Sequence, residues 1–118
     1  MIYLYNKFFV SYRYYLGPSA HKKNLYVLTN AHVTKVLFKA GIKEVEGVEV
    51  MTKNGRKIKF TAEKEVILSA GTLRSPQILM HSGVGPRKDL EKFDIPVVMD
   101  LPVGKNLQNH VSVGIPVC

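Results

Sequence analysis

The sequence predicts an α/β fold with an inserted three-stranded antiparallel β-meander, and a few stretches carry that prediction. Val66-Ile67-Leu68 is too short for a helix and β-branched enough for a buried parallel strand. Ser69-Ala70-Gly71 then supplies small residues for a sharp turn or a close approach, and Ser75-Pro76 reads as a helix start. In open α/β sheets, a strand, a tight turn and a helix in this order mark a dinucleotide crevice at the strand's carboxyl end. Upstream, the apolar or alternating runs Val33–Ala40, Val45–Thr52 and Arg56–Ala62 are separated by sharp turns, as in a meander.

In chain order, Met1 to Tyr15 is rich in Tyr and Phe but broken by Asn6, Lys7 and Arg13. It has neither the layout of a signal peptide nor the roughly twenty apolar residues of a membrane span. Gly17-Pro18-Ser19-Ala20 is a turn, His21-Lys22-Lys23 a solvated link, and Asn24–Asn30 reads as a short, mostly buried strand. In the second meander strand, Val48 and Val50 share one face and Glu49 and Met51 the other. Asn54-Gly55 is a strong hairpin signal. After it Ile58, Phe60 and Ala62 point inward and Lys57, Lys59 and Thr61 outward.

The helix after Gly71 is expected to use the Ser75 hydroxyl as a cap, with Pro76 at its first position. Ile78, Leu79 and Ser82 share one face, and Gly83 stops the helix in the left-handed conformation. Pro86 opens a second short helix through Phe93, with Leu90 and Phe93 toward the protein. Asp94-Ile95-Pro96 ends it, and Val97-Val98-Met99 is a short apolar strand.

Composition narrows the class. In 118 residues, 46% are hydrophobic and 22% charged, which suits a globular chain. Lys and Arg number 17 against 9 Asp and Glu, a formal net charge of +8. That excess suits an anionic partner such as nucleic acid, acidic lipid or cofactor phosphates, yet the lysines are spread along the chain. Cys118 is the single cysteine, which excludes an internal disulfide, and His21, His32, His81 and His110 lack metal-ligand spacing.

The run from Gly71 to Gly85, G-T-L-R-S-P-Q-I-L-M-H-S-G-V-G, resembles the second signature of the glucose–methanol–choline (GMC) oxidoreductases at every constrained position. Leu101 to His110 resembles the family's Gly-x-Asn-Leu-x-Asp-His segment, with Asn109 where Asp is usual. The resemblance runs from about Ser11 onward, matching well over Asn24–Phe38 and only in pattern over the hairpins. It implies part of an FAD-binding Rossmann-like domain over residues 11–100, preceded by an atypical segment 1–10. Residues 101–118 would form a connector to a substrate domain.

The resemblance also implies site residues. Val33 would make a main-chain contact to the adenine, unless its role is strand packing. Ser69, Ala70 and Gly71 would lie beside the dinucleotide, or serve only as a strand-end turn. Asn106 sits in a segment that either touches the flavin or is a structured connector. No G-x-G-x-x-G follows a strand, and the family's catalytic histidine pair has no counterpart, so an internal fragment is expected. The implied chemistry is hydride transfer from the CH–OH group of a small alcohol to FAD, with no nucleic acid and no membrane span involved. A non-enzymatic basic module that binds an anionic partner is the alternative, and a structural protein built from a decayed enzyme domain is a third reading.

Overall fold

The computed structural model describes residues 2–4, 7–9, 12–111 and 113. Strands β1 (Ile2–Leu4) and β2 (Lys7–Phe9) pair antiparallel, and a π-helical turn at Tyr12–Leu16 leads into a single helical turn, α1 (Gly17–Ser19). The central feature is the expected meander: β3 (Ala31–Phe38), β4 (Val45–Thr52) and β5 (Lys57–Thr61) form one antiparallel sheet in that order. Thr52 and Arg56 close its hairpin loop, with Gly55 N–H donating to the Thr52 carbonyl at 2.9 Å and Gly55 at φ +75°.

The register separates the two faces. Val33 lies opposite Val50 and Val50 opposite Ile58, while Val36, Val48 and Phe60 form the neighbouring row. Val36 and Val50 are buried, whereas Ile58 and Phe60 are 41% and 44% exposed. Ile58 and Phe60 therefore lie on the expected face without the expected burial, because β5 is an edge strand that no described element covers. On the opposite face Lys35, Glu49 and Lys59 share a row, and Lys57 pairs with Glu49 at 3.4 Å.

Two expected strands are absent. Asn24–Asn30 makes no ladder, and Tyr26 is 91% exposed. Asn30 stands at φ +55° just before β3, so the chain bends there and cannot run straight into the sheet. Val66–Leu68 is likewise unpaired, with Ile67 75% exposed. A parallel strand exists only through its neighbours' hydrogen bonds, and no described strand flanks this run.

Helix α2 (Arg74–His81) packs on β3, and β6 (Val84–Gly85), α3 (Arg87–Glu91) and β7 (Met99–Asp100) follow as a small parallel βαβ unit. Gly83 ends α2 at φ +85°, as expected. Its carbonyl accepts Val98 N–H at 2.8 Å and Met99 N–H at 3.1 Å, which docks the returning chain. After α3, Asp94 takes the left-handed conformation at φ +53°. Ile95 N–H reaches the Leu90 carbonyl and Asp94 N–H the Glu91 carbonyl, the paired bonds of a Schellman stop. Leu90 is buried, but Phe93 is 76% exposed, contrary to expectation. That stop turns the chain away before any described element can cover the ring. Cys118 lies outside the described residues.

Candidate functional site

The site grows from the free edge of β3. Thr52 N–H donates to the Arg56 carbonyl and Ala62 N–H to the Glu46 carbonyl, each at 2.9 Å, so the even-numbered residues of β4 face β5. Val50 therefore exchanges its ladder bonds with Ile58, and Val33 opposite it keeps its N–H and C=O on the outer edge of β3. A β-bulge falls between Val33 and Lys35. Thr34 pins it, its hydroxyl donating to the Glu49 carbonyl at 3.2 Å and to the Glu49 carboxylate at 2.7 Å. That hydroxyl, followed by Lys57 and Lys35, holds the Glu49 carboxyl below its ordinary range, against a smaller opposing effect of burial.

Helix α2 lies along this edge. Val36 N–H donates to Ser82 Oγ at 2.8 Å, and Ser82 Oγ donates to the Ile78 carbonyl at 2.6 Å. At the helix's other end Ala70 N–H donates to Ser75 Oγ at 3.1 Å, and Ser75 N–H to the Gly71 carbonyl at 3.0 Å. The expected cap is thus corrected: the helix begins at Arg74 after Leu73, and the Ser75 hydroxyl holds the preceding turn instead. Gly71 stands at φ +88°, and apart from its two chain neighbours nothing lies within 4 Å of where a Cβ would sit.

Between these parts lies a cavity of about 760 Å³ whose walls include Val33, Ser69 and Ala70, so three of the expected site residues meet. Gly71, the next residue after Ala70, is not part of its lining. Arg74, Gln77, His81 and His32 also line it, and no carboxylate does. The expectations missed these four. Arg74, Gln77 and His81 follow helical spacing, which could have identified them as one stripe.

Asn106 stands apart. It lines a second groove of about 570 Å³ with Leu73, Met80, Leu90 and Leu107, and only Gln77 and His81 border both spaces. The turn before it is fixed to α3, where Arg87 N–H donates to Asp100 at 2.9 Å and Lys105 reaches Asp89 at 3.3 Å. The Lys105 bond holds the Asp89 carboxyl below its ordinary range. Among the described residues no group of His, Cys, Asp and Glu could hold a metal ion, and no helix is long and apolar enough to cross a membrane.

The chain is similar in sequence and fold to known proteins. A family model described as GMC oxidoreductase matches residues 9–112. Over 103 residues the chain is 50% identical to glucose dehydrogenase [FAD, quinone] of Drosophila pseudoobscura pseudoobscura, covering 86% of this chain and 16% of that protein. Over 102 residues it is 45% identical to oxygen-dependent choline dehydrogenase of Pseudomonas putida, covering 85% and 18%. A solved FAD-dependent oxidoreductase from Chaetomium thermophilum superposes with a TM-score of 0.72 at 36% identity, over 77% of this chain and 16% of that one. Pyridoxine 4-oxidase from Mesorbium loti gives 0.64 at 32% identity, over 70% and 15%. The chain thus spans about a sixth of the length of these relatives. With one family model matching residues 9–112, and both sequence and fold relatives behind it, the chain belongs to the GMC oxidoreductase family.

Proposed function

We propose that this chain forms one wall of the FAD site of an alcohol oxidoreductase. The observation that carries the reading is the free N–H and C=O of Val33, on the cavity whose other wall is Ser69-Ala70. An adenine edge offers a donor beside an acceptor, which such a strand edge can match without any particular side chain. The cavity suits an anionic dinucleotide, since Arg74, His32 and His81 line it and no carboxylate does. Open space at Gly71 leaves room for close approach.

Val33, Ser69, Ala70 and Gly71 would hold the nucleotide end. Asn106, on the other side of α2, would meet a different part of the extended ligand. Bound FAD supplies a hydride acceptor for oxidation of a CH–OH group. Relatives named for glucose and choline support a small alcohol as substrate. Residues 11–100 are assigned to the FAD-binding domain, 101–118 to a connector toward the substrate domain, and 1–10 to neither.

The test uses the full-length protein that carries this chain, with Gly71→Val beside Gly71→Asn. Asn tolerates a left-handed backbone, so it adds bulk with less strain. Both variants are expected to lose flavin absorbance after purification while far-UV circular dichroism stays native. Full flavin content in both would overturn the reading.

A further inference from the structure

Ser75 and Ser82 stand seven positions apart on α2 and at its C-terminal cap, which is two helical turns. Their hydroxyls therefore share one face, about 10.5 Å apart along the axis. Each accepts a backbone N–H from a different neighbour: Ser75 from Ala70 at 3.1 Å, Ser82 from Val36 at 2.8 Å. Ala70 is in one wall of the cavity, and Val36 lies on the β3 edge three residues beyond Val33 in the other. Neither serine lines the cavity itself.

We infer that Ser75 and Ser82 are a pair of positioning residues that set the separation of the two walls receiving FAD. This rests on the reading of the cavity given above. The amides they hold belong to segments with no ladder partner at that point: the unpaired turn and the outer edge of β3. The Ser82 hydroxyl also donates to the Ile78 carbonyl, but Ser82 N–H bonds that carbonyl at 3.1 Å as well and keeps the last turn closed without it. Losing one hydroxyl therefore frees a wall while leaving α2 wound. Ser82 is the single buried polar side chain among the described residues, and it is fully engaged, accepting from Val36 and donating to Ile78. A hydrophobic residue there would leave the Val36 N–H without its partner, so the β3 edge must shift to find another.

The experiment compares the full-length protein with Ser75→Ala, Ser82→Ala and the double variant, plus Ser75→Thr, which keeps the hydroxyl. Val84→Ala serves as a stability control, since Val84 is buried and lines neither groove. The Kd for FAD is read from flavin fluorescence on apo-protein, at a temperature where circular dichroism shows every variant folded. Each alanine variant is expected to bind about tenfold more weakly, the usual scale of one lost hydrogen bond. The double variant should lose less than the product of the two, because either change already misplaces a wall. Ser75→Thr and Val84→Ala should stay near wild type, the latter despite a lower Tm. Unchanged Kd in the two serine-to-alanine variants, or an equal loss in Val84→Ala, overturns the positioning role. Should Ser82→Ala not fold, the more accessible Ser75→Ala decides alone. A wild-type protein that fails to bind FAD sinks the cavity's assignment and this proposal with it. Wild-type binding with unaffected serine variants sinks the proposal alone.

Discussion

Gly71 and Gly83 hold almost the same backbone angle, φ +88° and +85°, and differ in what surrounds them. At Gly71 a Cβ would meet nothing within 4 Å, while at Gly83 it would lie 2.4 Å from the Pro96 carbonyl oxygen and 2.9 Å from Val98. Gly71→Ala should therefore cost only the conformational term, about 1–2 kcal/mol. Gly83→Ala adds an overlap with backbone that must move, worth about 1–3 kcal/mol more. Denaturant midpoints of the two variants in the full-length protein check this, and equal losses would refute it. The sequence motif foretold Gly83 as a helix stop. It could not foretell the contact with Pro96, which arises only when the βαβ unit folds back. Ser75 shows the same limit: its type announced a cap, but only tertiary structure decided which N–H it would receive.

Within the meander, acid should act through Glu49. Its carboxyl is held below the ordinary value of 4.5, first by the Thr34 hydroxyl and then by Lys57. A lowered folded-state value means the associated stability is fully present above pH 4.5 and is lost as pH falls through the lowered value. Thr34→Val removes the largest cause, so the acid-side fall in Tm should shrink relative to wild type. Tm measured from pH 6 downward tests this, and identical profiles would contradict it. All three meander strands were legible because alternation and the Asn54-Gly55 turn are local signals. Asn24–Asn30 and Val66–Leu68 were not, because β-branched composition signals suitability for a sheet but cannot supply the neighbour. The bulge at Thr34 was also silent, although it decides that Val36 rather than Lys35 presents its amide at the edge.

Taken whole, the chain is extended for its size. Its radius of gyration is 18.7 Å, whereas a compact chain of this length has about 13 Å. Among the described residues only Val36, Val50, Val84 and Leu90 are buried hydrophobics. Both β3 and β5 are sheet edges. So small a core and such open edges favour association over a stable monomer. The 118-residue chain alone is expected neither to retain FAD through gel filtration nor to bleach bound flavin when an alcohol is added. Stoichiometric flavin in the monomer peak would show that the chain is self-sufficient. The separation of Val33 and Asn106 onto different sides of α2 was likewise illegible, since spacing along a sequence does not say which side of a helix a later loop will take.

The hydrogen bond from Val36 to Ser82 joins residues 46 positions apart, whereas Thr34 and Glu49 are separated by 15. Closing a long loop costs more chain entropy before any contact repays it. The expected order of folding has the meander zip first and α2 dock on its edge afterwards, bringing the Ser69–Gly71 turn with it. One wall of the cavity is thus an early structure and the other a late one. Ser82→Ala should leave the folding rate of the full-length protein nearly unchanged and accelerate unfolding, as stopped-flow measurements on both limbs would reveal. On that order there is a sheet edge but no cavity until the docking step, so a ligand is expected to trap the fold once formed rather than to template it.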